Sequence, residues 1–390
     1  MTKDEGREET GRTALAIRGA DGRDLRRDTE HSLTDGTVRY PVVAGIPFLR
    51  SGREALREAA LGDLDRGEPR AALARLLGDR DDWASGPAAR ADDLREAAAS
   101  ETLDLRAAMS LLAYGPVGDY FAYRWSDPTY LSGLRLLQSG MPGAPRIFVE
   151  VACGIGHYLR EALQRGIAAV GVDVVFSKLW LARRFVAEQA QLVCADVASG
   201  IPLADGSASL VFCHDAFYFL PDKAHVHAEM VRISAGPVLV GHAHNRDAEN
   251  LSSGDPWSVA QYSALAAGAE EPTLYDDAEL TRAFLEARPP VAQSPAALAR
   301  CAAVSWIAGR RGAGSSGLDF TQPVPGAALR LNPLLAGGGR LPSWPSARYA
   351  EEYGAASGYL AREAEEPPLT PARAADLARR RVLLDLPARW

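Results

Sequence analysis

One stretch constrains this chain more than any other: Arg146-Ile-Phe-Val-Glu-Val-Ala-Cys-Gly-Ile-Gly-His-Tyr-Leu159. A short apolar run leads into two glycines and then into an amphipathic pattern, which reads as a strand, a tight turn and a helix. Gly154 and Gly156 lack a Cβ, so the turn can take dihedrals closed to other residues and let a ligand approach the main chain. Glu150, near the end of the strand, offers an acceptor at the rim of a sheet.

The design recurs along the chain. Val170-Gly-Val-Asp173 is a β-branched run ending in a carboxylate, which at the tip of a second strand is placed to accept both hydroxyls of an adenosine ribose. A third strand, Ala190 to Ala195, ends in Asp196, whose carboxylate could meet an adenine amino group. A fourth, Ala208 to Cys213, ends in His214-Asp215, and a fifth, Pro237 to Val240, ends in Gly241-His-Ala-His-Asn245. Strands followed by loop or helix, with polar groups at their carboxyl ends, predict an α/β fold with a doubly wound, Rossmann-like sheet.

Glu150-Val-Ala-Cys-Gly-Ile-Gly156, Val172-Asp173, Ala195-Asp196 and Leu210 to Asp222 together resemble the successive motifs of class I S-adenosylmethionine-dependent methyltransferases. The resemblance covers roughly a quarter of the chain. It implies S-adenosylmethionine as cofactor, with the glycine loop facing its methionine part, Asp173 on the ribose, and Asp196 with Val197 beside the adenine. The cofactor-binding set it gives is Glu150, Ala152, Gly154, Gly156, Asp173, Asp196, Val197 and His214. Ala152 departs from the pattern, standing where the family usually has its first glycine. A nicotinamide or flavin site would need a third glycine where this chain has Leu159.

With 390 residues the chain can bury a large core and carry more than one domain. A net charge of −7 and the lack of a dense basic run disfavour a nucleic-acid substrate. Only three of the 43 lysine-plus-arginine residues are lysines, a bias of GC-rich bacterial genomes. No apolar run reaches membrane-spanning length and no leader pattern is present, so a cytoplasmic location without membrane contact is expected. Cys153, Cys194, Cys213 and Cys301 lack metal-knuckle spacing and read as buried thiols.

Five regions are expected. Residues 1–12 are a disordered tail. Residues 13–50 form a small β module whose Tyr40-Pro-Val-Val-Ala-Gly-Ile-Pro47 resembles the last strand of Trm112-like zinc ribbons, here without the cysteines that would hold the metal. Residues 51–135 form a helical cap or lid, residues 136–310 the nucleotide-binding sheet, and residues 311–390 a loop-rich and helical extension. Asp119 to Tyr130 concentrates five aromatics and an arginine just before the first sheet strand. Tyr120, Tyr123, Arg124 and Trp125, with Tyr218, are therefore candidates for a lid that excludes water and shapes a substrate pocket. Ala302 to Ala308 is expected to close the sheet edge, Asp255 to Tyr262 and Asp276 to Leu285 to be helices, and Ala347 to Glu365 and Pro371 to Leu386 to form a helical tail.

Methyl transfer from a sulfonium is an in-line displacement, so holding the nucleophile does most of the work and a base is optional. His214, His242 and His244 are the catalytic candidates, since imidazole accepts a proton near neutral pH. His242 and His244 stand two apart and share a side of an extended strand. With His214 they could hold a divalent metal, or could serve only in loop hydrogen bonds; no metal is assigned. His157 is expected either to touch the cofactor's carboxylate or to cap its helix, and His225 and His227 read as surface residues. The expected function is methylation of an oxygen or nitrogen on a small molecule, a sugar or specialised metabolite, by a possible homo-oligomer. The alternatives are a non-methylating isomerisation or cyclisation on the same scaffold, and a non-catalytic partner subunit.

Overall fold

The computed structural model describes residues 15–19, 22–81, 83–84, 86–249, 254–268, 270–309, 316–362 and 370–390. The expected tail, residues 1–12, lies outside them, as do residues 310–315 of the expected loop region and 363–365 of the expected helix.

Strands β1 (Arg26–Thr29), β2 (Ser32–Thr34), β3 (Arg39–Val43) and β4 (Ile46–Pro47) make a four-stranded antiparallel sheet in chain order. Helices α1 (Glu54–Asp65), α2 (Pro69–Leu77), α3 (Ala91–Ala99), α4 (Leu105–Leu111) and α5 (Pro116–Tyr123) follow. Pro69 and Pro116 each sit in a first helical turn, where a missing N–H costs nothing. A 3-10 turn at Arg124–Ser126 leads into α6 (Pro128–Gly140), whose first turn is capped by the Asp127 carboxylate on the Tyr130 amide. The boundary expected after residue 135 falls inside α6, which packs on the central sheet.

That sheet is built from β5 (Ile147–Val151), α7 (His157–Gln164), β6 (Ala168–Asp173), α8 (Phe176–Leu181), β7 (Gln191–Cys194), β8 (Leu210–His214), α9 (Lys223–Ile233), β9 (Val238–His244), α10 (Val259–Ala266), β10 (Thr273–Asp276), α11 (Asp277–Leu285) and β11 (Ala303–Ala308). Its order is β10-β11-β9-β8-β5-β6-β7, seven strands where the sequence shows six. β11 runs antiparallel between β9 and β10, so it is one strand in from the edge and not the edge itself. The edge is β10, four residues that run straight into the acidic start of α11 and of which only Asp276 falls in the expected helix. α10 begins later than expected, at a capping box in which Ser258 and Gln261 exchange hydrogen bonds.

β5, β6 and β8 are buried on both faces, as parallel strands flanked by helices must be. Alternation sends Phe148, Leu210 and Phe212 into one core layer and Val149, Val151 and Val211 into the other. Each such side chain contributes about 1.5–3 kcal/mol on burial.

The two outer regions attach at different places. The N-terminal sheet continues into Phe48, which bridges Cys194 of β7 in parallel, and the Leu49 amide donates to the Cys194 carbonyl at 2.7 Å. Phe48 is fully buried against Phe176. The C-terminal region, with β12 (Arg330–Leu331), α12 (Ala347–Tyr353), α13 (Pro371–Arg379) and β13 (Leu383–Leu384), straps the segment around α5. Tyr349 donates to the Tyr123 carbonyl, Tyr359 to the Ser126 carbonyl, and the Trp390 indole to the Ala122 carbonyl. Residues 383–384 are a short strand paired with β12 instead of more helix. Among the described residues no helix is long and apolar enough to cross a membrane.

Candidate functional site

The turn between β5 and α7 is held in left-handed dihedrals, with φ of 54° at Ala152, 54° at Gly154 and 83° at Gly156. The Gly154 amide donates to Asp173 Oδ2 at 2.8 Å, and the Val175 amide donates to Oδ1 at 2.9 Å. The carboxylate at the tip of β6 thus ties the glycine turn to the loop after β6. Glu150 lies just before the turn, 3% exposed, with its Oε2 unpartnered. Burial pushes its carboxyl well above the usual range. Asp196 turns back on its own loop, accepting from the Ala198 amide, with Val197 buried beside it. Phe121 of α5 lies over the turn, close enough that a Cβ on Gly154 would touch its ring.

Ala152 carries a cost that glycine would not. A left-handed conformation costs an L-residue about 1–2 kcal/mol, partly offset because glycine loses more freedom on folding. Ala152→Gly is therefore expected to stabilise the fold by about 0.5–1 kcal/mol in urea unfolding. A loss of stability would show that the methyl group packs well enough to outweigh the strain.

Beside the turn, the ends of β8 and β9 carry a buried polar cluster. Asp215, at φ 55°, accepts from Tyr120 Oη at 2.9 Å and Arg124 Nη1 at 3.0 Å on Oδ2, and from Tyr218 Oη at 2.9 Å on Oδ1. Arg124 also donates to Thr129 Oγ1 and sits 3.1 Å from His214 Nδ1. His242, at φ 51°, places Nδ1 2.7 Å from Asp277 Oδ2 and Nε2 3.9 Å from Asp215 Oδ1. Ser305 of β11 fixes this arrangement, donating to Asp277 Oδ1 and accepting the His242 amide. The His244 ring lies 4.9 Å from that of His242 and 4.5 Å from that of Tyr218.

The four charged groups set one another's ionisation. Burial alone would lower the His242 pKa, but Asp277 and then Asp215 outweigh it and hold it at about 9. Burial raises both carboxyls while His242 lowers them, and the net direction is down. Burial first, then Arg124, takes His214 down to about 3, and burial first, then His242, takes His244 down to about 4. Burial lifts Asp127, 3.9 Å from Arg124, to about 6.

These directions give a pH profile. The His242 pKa is higher folded than unfolded, near 6.5, so its contribution is whole below about 6.5 and is lost as pH rises through about 9. The size is on the order of 3 kcal/mol. His214 and His244 act oppositely, since they must charge as pH falls from 6.5 toward 4 and 3. Urea unfolding is expected to show greatest stability near pH 6–7. A profile flat from pH 6.5 to 9.5 would mean that His242 does not hold its proton between the two carboxylates.

Most of the residues singled out in the sequence come together, with corrections. His214 does not join His242 and His244 in a three-histidine group. Its ring is wedged between Gly133 and Gly241, where a Cβ on either would run into it, and the residue that faces the other two histidines is Asp215. Tyr120, Arg124 and Tyr218 line the cluster. Tyr123 points instead to Tyr349 and Trp390 of the C-terminal strap, and Trp125 is buried 4.4 Å from His157. His157 is buried, and its Nε2 lies 3.0 Å from the Phe121 carbonyl, a contact that anchors α5. His227 is also buried, against Phe217 and Trp306, because it falls on the inner face of α9, while His225 is exposed. Asp277 and Ser305 could not be singled out beforehand, since an acid at a helix start and a serine in a strand have ordinary explanations.

Residues 149–236 match the family described as methyltransferase domain. No curated protein matches the chain. Among solved structures it is similar to an S-adenosylmethionine-dependent methyltransferase of Thermotoga maritima, at 20% identity and a TM-score of 0.33 over 48% of this chain and 90% of that one. It is also similar to phosphoethanolamine N-methyltransferase 2 of Haemonchus contortus in complex with S-adenosyl-L-methionine, at 18% identity and a TM-score of 0.36 over 53% and 59% of the two chains. The matched span holds the glycine turn, Asp173, Asp196 and the end of β8, set in the seven-stranded sheet that the fold displays. Over residues 149–236 the chain thus matches a methyltransferase domain, set in a Rossmann-like seven-stranded sheet.

Proposed function

We propose that this protein methylates an oxygen or nitrogen nucleophile of a small molecule bound over the ends of β8 and β9, under α5. The observation that carries the reading is the adjacency of two things: a left-handed glycine turn tied to Asp173, and a buried cluster of ionisable groups next to it. The chemistry of the turn suits the cofactor. Glu150 Oε2 is an unpartnered acceptor, and each Asp173 oxygen accepts one backbone amide and retains acceptor capacity for a ribose hydroxyl. Asp196 and Val197 would border the adenine. When bound, the cofactor supplies an electrophilic methyl group.

The chain's own residues do the rest. Tyr120, Arg124 and Tyr218 fix the Asp215 carboxylate. His242, charged at neutral pH, would donate a hydrogen bond to the acceptor. His244, uncharged and with its Nδ1 unpartnered, would serve as the proton acceptor, while His214, whose Nε2 is also unpartnered, is packed between Gly133 and Gly241. Excluding water under α5 would strengthen these contacts. The N-terminal module, lacking metal-binding cysteines, would act as packing for the β7 edge.

Calorimetric titration with S-adenosylmethionine and with S-adenosylhomocysteine tests the reading. Micromolar binding of both is the expected result, followed by a screen of hydroxyl- and amine-bearing acceptors for methyl transfer. If a folded sample binds neither, the proposal fails.

A further inference from the structure

We propose that Asp215, His242 and His244 form a binding site for a divalent transition-metal ion. One donor atom from each lies within 4.8 Å of the others, and among the described residues no other trio of histidine, cysteine or acid side chains converges in this way. Donors about 2.0–2.2 Å from a shared ion stand about 3 Å apart, so modest side-chain rotation closes the site.

Four further observations favour an ion over a mere hydrogen-bonded cluster. Asp277 binds His242 Nδ1 at 2.7 Å and is itself held by Ser305, which leaves Nε2 turned toward Asp215. A carboxylate behind the far ring nitrogen is the usual support of a metal-ligating histidine. His244 Nδ1 is buried and has no partner. Asp215 and His242 both hold left-handed dihedrals, strain of a kind that collects at functional sites. Finally, Arg124 and Tyr120 engage Oδ2 of Asp215, so the oxygen turned to the histidine side is Oδ1, which accepts from Tyr218 and lies 3.9 Å from His242 Nε2.

Two imidazoles and one carboxylate suit zinc, iron(II), cobalt or manganese better than magnesium or calcium. The site goes beyond methyl transfer. Loaded, it would release the Nε2 proton of His242 to solvent, take over the lone pair that His244 otherwise offers to a proton, and set a cation beside the acceptor. Its test does not depend on the cofactor reading.

The full chain, stripped with chelator and desalted, is titrated with Zn2+ by calorimetry and with Co2+ by visible absorption. One ion per chain is expected, with affinity falling about 100-fold in His244→Ala and unchanged in His225→Ala, which alters an exposed histidine. No binding by the native chain, equal binding by His244→Ala, or equal loss in His225→Ala would overturn the proposal. If His244→Ala does not fold, the native Co2+ spectrum decides. Strong bands of a nitrogen-ligated ion of low coordination number support the site, and a weak spectrum like that of the hydrated ion overturns it.

Discussion

Arg124→Met is expected to destabilise the protein by about 3–5 kcal/mol, the usual cost of removing one partner from a buried ion pair. The guanidinium is 3% exposed and serves Asp215, Thr129 and His214 at 3.0–3.1 Å. Without it, Asp127 loses its neighbouring cation and Asp215 keeps only His242, 3.9 Å away. Most of the loss comes from those stranded charges, so neutralising one should recover part of it. Urea unfolding of Arg124→Met, Asp215→Asn and the double variant measures this, with a coupling of about 1–3 kcal/mol expected. A single-variant loss below about 1 kcal/mol would mean that water reaches the carboxylates and that the cluster is not the closed site described above.

Asp173→Ala is expected to weaken S-adenosylmethionine binding at least about 100-fold, which is near 2.7 kcal/mol. It also strips the Gly154 and Val175 amides of their acceptor, at about 1–3 kcal/mol of stability for buried donors left unpaired. From the sequence alone this acid was a ribose ligand and nothing more. The structure gives it a second task, so affinity and stability have to be measured on the same samples. Unchanged affinity in a folded variant refutes the ribose contact. Lost affinity with intact stability would mean that the turn keeps its shape without the carboxylate.

The parallel half of the sheet was legible because burial on both faces leaves near-continuous apolar runs, and each run ended in an acid or a histidine. The glycine turn, Asp173, Asp196 and His214 could be placed for that reason. β10 was hidden because Thr-Leu-Tyr-Asp is short and merges with a helix start. The roles of Tyr120 and Arg124 were half legible: aromatic density marked the segment, but only the fold shows that alternate members face Asp215 and the C-terminal strap. Asp277 and Ser305 were out of reach, since they come from elements more than 30 residues beyond His242 and act by position alone.

The antiparallel insertion of β11 has a consequence for the order of assembly. β10 precedes β11 in the chain yet touches the sheet only through it, so β10 has nowhere to pair until residue 303 and its neighbours arrive. Until then β9 is an open edge, a liability during synthesis. His242 lacks the serine that receives its amide, and Asp277 lacks the hydroxyl that orients it. A nascent chain halted before β11 can therefore fold its glycine turn while its histidine cluster stays unmade.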